Sequence, residues 1–299
     1  MIVDRPVFRR STMNDQRSTT RLMSGLADLH LHTYHSDGIR SPAEVVRLAG
    51  EHGLSVIAIS DHDTLRALPE AEPLARAAGI LLIPAVELSI TWEGVDVHLL
   101  AYAFDPEDAA LADTLTRCRA TRELRGETMA ERLRSIGVAI DMDRLREICG
   151  GGSVGRPHVA RCLVEIGAVA SIDEAFERYL SPGCPGWVEK ERIELDEAIA
   201  LVHDAGGLTS IAHPTCYPDA ERLVRAMVPH GVDAIEVLHP DVPSDAAARF
   251  RAIASEHGIF TTGGSDDHGF EGRKTIGSVP VPVAMIQPIV DRWQSRRGR

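Results

Sequence analysis

Residues 28–38 read DLHLHTYHSDG, an alternation of polar and apolar residues that ends in a turn. Because successive side chains of a β-strand point to opposite faces, His30 and His32 face one side of the strand, and the leucines beside them face the other. The Ser-Asp-Gly that follows turns the chain and leaves Asp37 just beyond the strand. The stretch predicts either a metal-binding strand end or a solvated strand face with two ordinary histidines.

The composition limits the classes of protein that this chain can belong to. Its 299 residues, 44% hydrophobic and 25% charged, are typical of a globular protein that can form one large α/β domain or a domain with an insertion. A net charge of −12 argues against a general electrostatic grip on nucleic acid, and no DNA-binding module is evident. No apolar run is long enough to span a bilayer. Five cysteines without a C-x-x-C pair predict a reducing, cytoplasmic location.

Strand and helix patterns alternate in two parts of the chain, residues 25–104 and 186–295. Between them, residues 105–185 show helix after helix without a strand, which predicts an inserted helical subdomain. Residues 1–24 have no periodicity and predict a disordered tail. A short Trp-Glu-Gly connection predicts that the strands at 80–90 and 95–103 are antiparallel neighbours. Pro69 and Pro73 predict a broken helix that ends at Gly79.

Histidines and carboxylates recur where the predicted strands end. In barrels of parallel strands and helices, the C-terminal strand ends share one face and build the active site. Mixed imidazole and carboxylate ligands suit divalent transition metals, and the lack of thiolates disfavours a structural zinc site. The candidate metal ligands are His30, His32, Asp37, His62, Glu87, His98, His213, Asp266 and His268.

The order of these motifs resembles the polymerase and histidinol phosphatase (PHP) family of metal-dependent phosphoesterases, over about residues 26–282. The resemblance rests on DLHLHT with its Ser-Asp-Gly, the Asp-His-Asp at 61–63, Glu87, His98, the His-Pro at 213–214 and the GSDDH at 264–268. The helical insertion and the Arg-Pro-His at 156–158 resemble the branch of 3',5'-nucleoside bisphosphate phosphatases and 5'-3' exoribonucleases. The implied fold is α/β, a distorted (β/α)7 barrel of PHP type with an inserted helical subdomain.

The resemblance also implies three divalent metal ions. Manganese is the expected identity, with iron, zinc and magnesium as alternatives. The first metal would be held by His30, His32, Glu87 and Asp266. Glu87 would bridge to a second metal, completed by His98 and His213, although His239 also follows a strand and could exchange roles with His213. The third metal would be held by Asp37, His62 and His268.

Catalytic and substrate-binding roles follow from this metal cluster. Metal binding lowers the pKa of water, so a hydroxide shared by two metals can attack a phosphomonoester without a serine or cysteine nucleophile. Arg156 is expected to bind a phosphate in a bidentate way, with incidental charge at a helix start as the alternative. His158 or His239 would donate to the phosphate or protonate the leaving oxygen. Asp63 would orient a ligand or the water, or else cap the strand end.

These residues leave several functions open. The leading one is hydrolysis of nucleotide phosphomonoesters, either a 3',5'-nucleoside bisphosphate or a nucleoside monophosphate. The main alternative is 5'-to-3' trimming of 5'-monophosphorylated RNA, guided by a basic strip on the insertion formed by Arg117, Arg119, Arg122 and Arg125. A non-catalytic metal-binding module is a further alternative. An amidohydrolase would need a lysine on a strand, and the two lysines, Lys190 and Lys274, lie outside the predicted strands.

Overall fold

The structure is a computed structural model that describes residues 25–149, 154–189, 193–270 and 275–297. The predicted tail at 1–24 lies outside these residues, as do Lys190 and Lys274. The strands are β1 Leu26–Leu31, β2 Leu54–Ile59, β3 Leu81–Trp92, β4 Val95–Tyr102, β5 Ile193–Glu194, β6 Leu208–Ile211, β7 Ala234–Leu238, β8 Phe260–Gly263 and β9 Val281–Pro282.

Helices follow most of the strands. The α-helices are α1 Pro42–Glu51, α2 Leu68–Ala78, α3 Ala109–Ser135, α4 Met142–Cys149, α5 Arg156–Glu165, α6 Ile172–Ala175, α7 Leu195–Asp204, α8 Ala220–Met227, α9 Ser244–His257 and α10 Gln287–Arg297. Short 3-10 helices lie at Pro214–Cys216, Val228–His230 and Val283–Ile286, and a π-helix lies at Phe176–Leu180. Across the described ranges, no helix has the length and apolarity that a membrane span requires.

Seven of the strands, β1–β4 and β6–β8, form a barrel that is nearly closed. Their hydrogen-bonded order is β8-β7-β6-β4-β3-β2-β1, with β9 beyond β1 and the short β5 beside β3. The pairs β1–β2, β2–β3, β6–β7 and β7–β8 are parallel. The His32 amide donates to the Asp267 carbonyl at 3.1 Å, which links the chain after β8 to the end of β1. The predicted distorted (β/α)7 barrel is therefore confirmed.

The strand β4 interrupts the parallel order, since it is antiparallel to both β3 and β6. This confirms the predicted antiparallel pair. The expectation that every candidate ligand lies at a strand end is wrong for Glu87 and His98, which lie within β3 and β4. The two strands extend past the barrel rim as a hairpin, so side chains in mid-strand also reach the face where the other strands end.

The predicted break in the second helix is also wrong, because α2 runs continuously from Leu68 to Ala78. Pro69 lies in the first helical turn, where an amide needs no partner. Pro73 lies inside the helix. The buried Ala71 and Ala75 pack this face of the helix against the barrel and offset the lost hydrogen bond.

Between β4 and β5, the described residues form helices only. The first half of α3 packs Leu111 and Leu115 into the cluster that contains the apolar residues of β3 and β4. Its second half packs Met129 and Leu133 into a separate cluster with α4 and α5. The long helix α3 therefore connects the barrel with the other helices. The division into residues 25–104, 105–185 and 186–295 stays a prediction.

Gly264 lies where β1 and the chain after β8 come together. A Cβ atom at this position would be 2.4 Å from the His30 Cβ and 2.5 Å from the His30 amide nitrogen. We expect Gly264→Ala to lower the free energy of unfolding by about 3 kcal/mol, since the backbone of β1 must move to accommodate a methyl group. Denaturant unfolding measures this difference.

The matched control is Gly50→Ala in α1, where the nearest atom to an added Cβ is Ile80 Cδ1 at 3.9 Å. Alanine has the higher helix propensity, so this variant should gain up to about 1 kcal/mol. Wild-type stability in Gly264→Ala would contradict the close approach of the two segments.

Candidate metal centre

The candidate ligands converge at one end of the barrel. His30 comes from β1, Glu87 from β3 and His98 from β4. The remaining candidate ligands lie in the segments that follow β1, β2, β6 and β8. Among the described residues, four overlapping groups place their ligand atoms within 4.8 Å of one another: His32, Asp37, His62 and His268; His30, His239 and Asp266; His30, His32 and Glu87; and His62, Glu87 and His98.

Glu87 lies at the centre of the cluster and is only 1% exposed. Its Oε2 is 3.2 Å from His30 Nε2, 3.1 Å from His32 Nε2 and 3.3 Å from His62 Nδ1. Its Oε1 is 2.9 Å from His98 Nδ1 and 3.0 Å from His213 Nε2. The two oxygens therefore face two different sets of imidazoles, as a carboxylate that bridges two metals would.

Asp266 faces the first of these sets. Its Oδ1 lies 3.3 Å from His30 Nε2 and 3.2 Å from His32 Nε2. Its backbone has a φ of 51°, in the left-handed region that non-glycine residues rarely occupy. Strained conformations of this kind concentrate at functional sites.

His213 and His239, which the sequence leaves interchangeable, occupy different places. His213 Nε2 lies 3.3 Å from His98 Nδ1, beside Oε1 of Glu87. His239 Nε2 lies 3.4 Å from Asp266 Oδ2. The arrangement groups His213 with His98, and His239 with Asp266.

The carboxylate of Asp37 lies close to three imidazoles, those of His32, His62 and His268. Its Oδ1 lies 3.3 Å from His268 Nε2 and 3.7 Å from His32 Nδ1, and its Oδ2 lies 3.6 Å from His62 Nε2. His62 turns its other ring nitrogen toward Glu87. One imidazole therefore lies between the carboxylates of Asp37 and Glu87, so the groups form one continuous cluster.

The donor atoms fit metal ions better than they fit one another. His32 Nε2, Asp37 Oδ1, His62 Nδ1 and His239 Nε2 are buried and make no hydrogen bond within the part of the chain that the structure describes. His32 Nε2 is close enough to Glu87 Oε2 for a hydrogen bond, but the angles are unsuitable. Buried nitrogen and oxygen atoms that converge without hydrogen-bond partners are typical of divalent metal sites.

The carboxylates are held in the ionised form that metal binding requires. Burial by itself would raise the pKa of Glu87, but the imidazoles of His62 and His98 hold that pKa well below its usual range. Burial likewise acts against ionisation of Asp266, and His30 and His268 lower its pKa well below normal. Both groups are therefore anionic near neutral pH.

Glu236 of β7 supports two of the ligands from behind. It is fully buried, its Oε1 lies 3.0 Å from His30 Nδ1, and its Oε2 accepts from the His213 amide at 2.7 Å. A carboxylate on the second ring nitrogen fixes the orientation of a ligating histidine. Glu236 is absent from the candidate ligands predicted from the sequence, although it carries the same signal as Glu87, an acidic residue inside an apolar strand.

Two further buried aspartates fix the loops that carry ligands. Asp61 accepts from the Thr33 amide at 2.7 Å and from the Ser36 hydroxyl at 2.6 Å, which holds the loop before Asp37. Asp28 accepts from the Ser265 amide at 2.9 Å, which holds the residue before Asp266. These contacts explain why acidic residues flank the ligands in the sequence.

Asp63 does not lie among the candidate ligands. Its Oδ1 accepts from the Ser89 amide at 2.8 Å, and its Oδ2 accepts from Arg122 Nη2 at 2.8 Å. Arg122 also donates to the Ser89 hydroxyl at 2.8 Å. Asp63 therefore joins the end of β2 to β3 and to the long helix α3.

The basic strip predicted on α3 is partly buried, and its role in guiding RNA stays a prediction. Arg122 is mostly buried against Asp63, and Arg125 is buried with its guanidinium over the Trp187 ring. Arg119 is half-buried, and its Nε lies 3.6 Å from Glu123 Oε1. The helix packs on the barrel along this face, so part of the arginine row is turned inward.

A cavity of about 220 Å³ opens over the cluster. Candidate metal ligands, other residues of β3 and β4, and residues of the helical region all line it. The lining residues include Glu87, His98, His213, Asp266, Arg122, Arg125, Arg156 and Phe176. The structure thus brings Arg156 to the cluster.

The structure does not bring His158 to the cluster. The His158 ring is fully buried, and its Nδ1 accepts from the Gly155 amide at 3.0 Å. His158 therefore helps to begin α5.

Comparisons with known proteins agree with this geometry. The model of the PHP domain matches residues 28–205. A 5'-3' exoribonuclease from Haemophilus influenzae is 35% identical over 271 residues, which cover 89% of this chain and 97% of that protein. The chain belongs to the PHP family. A 3',5'-nucleoside bisphosphate phosphatase from Chromobacterium violaceum is 33% identical over 278 residues, which cover 91% of this chain and 96% of that PHP relative.

The resemblance to the PHP family is thereby confirmed. A solved structure of a Bifidobacterium adolescentis protein assigned as a metal-dependent phosphoesterase aligns with a TM-score of 0.83 at 31% identity. The alignment covers 91% of this chain and 98% of that one. The likeness to the Bifidobacterium adolescentis structure therefore extends over the helices between β4 and β5 as well as the barrel.

In this PHP protein, protons compete with metal ions for the imidazoles of the cluster. Burial by itself would lower the pKa of His32. The carboxylates of Asp266 and Glu87 have the larger, opposite effect and raise this pKa to about 10. A metal must displace this proton because only the neutral ring coordinates. Metal affinity should therefore rise with pH through the neutral range and level off only above about pH 10.

Binding at pH 7 should also release protons from the protein. Isothermal titration calorimetry in buffers of different ionisation enthalpy measures the number released. Binding without proton release would contradict the protonated state of the rings.

Proposed function

We propose that this PHP protein is a metal-dependent phosphoesterase that hydrolyses phosphomonoesters of nucleotides, a 3',5'-nucleoside bisphosphate or a nucleoside monophosphate. The observation that carries the proposal is the shared cavity, which is lined both by Arg156 and by the candidate ligands Glu87, His98 and Asp266. A guanidinium facing a cluster of metal ligands suits a dianionic phosphate group. The names of the two relatives support a nucleotide as substrate.

The residues of the cluster fit three divalent metal ions, of which manganese is the expected identity. His30, His32, Glu87 and Asp266 would hold the first ion. Glu87, His98 and His213 would hold the second ion. Asp37, His62 and His268 would hold the third ion. When bound, such ions supply an activated water and neutralise the charge of the phosphate.

The chain itself supplies binding, orientation and proton transfer. Arg156 binds a pair of phosphate oxygens within the cavity that it shares with the metal ligands. Asp63 orients Ser89 and Arg122 at the cavity wall. His239, whose Nε2 lies 3.4 Å from Asp266 Oδ2, is the candidate to protonate the leaving oxygen. His158 takes no part in substrate binding, because its ring is buried at the start of α5.

A second candidate function is 5'-to-3' hydrolysis of 5'-monophosphorylated RNA. The name of the Haemophilus influenzae relative favours it. Arg122 and Arg125 of the predicted strip line the same cavity, where they are available to the first phosphates of a strand. The net charge of −12 favours the smaller substrate.

The deciding experiment compares two substrates with the purified, manganese-loaded protein. Adenosine 3',5'-bisphosphate and a 5'-monophosphorylated oligoribonucleotide are offered at equal phosphate concentration. We expect release of inorganic phosphate from the bisphosphate, and none after removal of metal with a chelator. Release of mononucleotides from the oligomer with higher kcat/KM would favour the exoribonuclease.

Metal analysis tests the third reading, a non-catalytic metal-binding module. The proposal requires several ions per chain, which inductively coupled plasma mass spectrometry can count. Fewer than about one bound ion per chain, together with no hydrolysis of either substrate, would overturn the phosphoesterase assignment.

A further inference from the structure

Tyr217 follows the 3-10 turn Pro214–Cys216 and directs its hydroxyl toward the cluster. The hydroxyl oxygen accepts from the His98 amide at 2.9 Å. The same oxygen lies 3.3 Å from Nδ1 of His213. One tyrosine therefore contacts both imidazole-bearing residues of the proposed second site, from the side opposite Glu87.

The contact with His98 arises where the sheet ends. The last backbone bond between β4 and the chain after β6 runs from the Ala212 amide to the His98 carbonyl. The amide of His98 points to the same side as its carbonyl, as in any antiparallel ladder. The chain turns away from β4 at His213, and the Tyr217 hydroxyl accepts from this partly buried amide.

The contact with His213 bears on how its ring can bind a metal. Nε2 is the nitrogen that faces the cluster, because it lies 3.0 Å from Glu87 Oε1 and 3.3 Å from His98 Nδ1. A ring that binds metal through Nε2 in its neutral form carries its proton on Nδ1. That proton needs an acceptor, and the Tyr217 oxygen lies beside Nδ1. The backbone of His213 is strained, with a φ of 26°, and strain of this kind concentrates at functional sites.

We propose that Tyr217 is a positioning residue of the second metal site, which fixes the ring of His213 with Nε2 toward the metal and anchors the strand that carries His98. The inference rests on the proposed metal centre, but not on the identity of the substrate. The Tyr217 hydroxyl would orient the ring of His213 through Nδ1, as the Glu236 carboxylate orients the ring of His30 through its Nδ1.

The test is Tyr217→Phe, which keeps the ring and removes only the hydroxyl. Outer hydrogen-bond partners of metal ligands typically contribute 10- to 100-fold in affinity, so manganese at the second site should bind about 10- to 100-fold more weakly. The variant should lose about one ion per chain on gel filtration. In electron paramagnetic resonance, the signal of coupled manganese ions should give way to that of isolated ions.

Activity gives a second readout. The manganese concentration for half-maximal activity should rise by the same factor, while KM for the substrate at saturating manganese stays at the wild-type value. Tyr179→Phe is the matched control, because Tyr179 contacts Arg178 on the helical region. Wild-type metal number and affinity in Tyr217→Phe would overturn the proposal, even if the protein proves to hydrolyse a different substrate.

A measurement on the wild-type protein covers the case in which the variant does not fold. Long-range ¹H–¹⁵N spectra of histidine-labelled, zinc-loaded protein report the protonated nitrogen of each ring. We expect His213 to carry its proton on Nδ1 and to bind metal through Nε2. Metal binding through Nδ1 would overturn the assignment.

Discussion

Glu87→Gln is expected to abolish hydrolysis of a nucleotide phosphomonoester and to strip the protein of at least two metal ions. The amide keeps the shape of the side chain, but loses the charge that faces five imidazoles between 2.9 and 3.3 Å. Loss of an outer partner of a metal ligand already costs about 10- to 100-fold. A residue shared by two sites should cost more, so kcat/KM should fall by more than about 1000-fold.

The measurement combines steady-state hydrolysis with metal counting on the same preparation. The matched control is Glu93→Gln in the turn of the same hairpin, where the side chain is exposed. It should keep both the metal content and the activity of the wild type. Full metal content in Glu87→Gln would show that the carboxylate does not bridge two sites.

Local patterns in the sequence predicted much of this centre. The period of two in residues 28–32 placed His30 and His32 on one face, and both rings contact the same oxygen of Glu87. The lone carboxylate in an apolar strand identified Glu87 because burying an unpaired charge is costly. The order of strands and helices predicted the barrel, and the motif order predicted the PHP family.

The contacts that orient the ligands could not be predicted in this way. Periodicity indicates which face a side chain occupies, but it does not indicate which distant residue lies opposite. Tyr217 meets the His98 amide across 119 positions, and Arg122 meets Asp63 across 59 positions. In α3 the row of arginines predicted a solvated face, whereas the helix buries part of that row against the barrel because Asp63 offers a buried countercharge.

Arg156→Ala is expected to lower kcat/KM for a nucleotide phosphomonoester by about 100-fold, while the metal content stays at the wild-type value. The loss corresponds to about 3 kcal/mol, within the range of two hydrogen bonds to a charged group. Arg156 lines the same cavity as Glu87, and its guanidinium lies over the rings of Phe176 and Trp187. The two aromatic rings hold the planar group in place before substrate arrives, so its removal should act mainly on KM.

Arg156→Lys tests whether the planar, bidentate geometry of the guanidinium matters in addition to its positive charge. Lysine keeps the positive charge but donates as a point, so its kcat/KM should lie between those of the wild type and the alanine variant. Arg178→Ala is the matched control in the helical region, where the arginine is exposed and pairs with Glu174. If Arg156→Ala keeps wild-type KM and kcat, the phosphate is bound by the metal ions without this guanidinium. The cavity would then owe its substrate preference to its other wall residues.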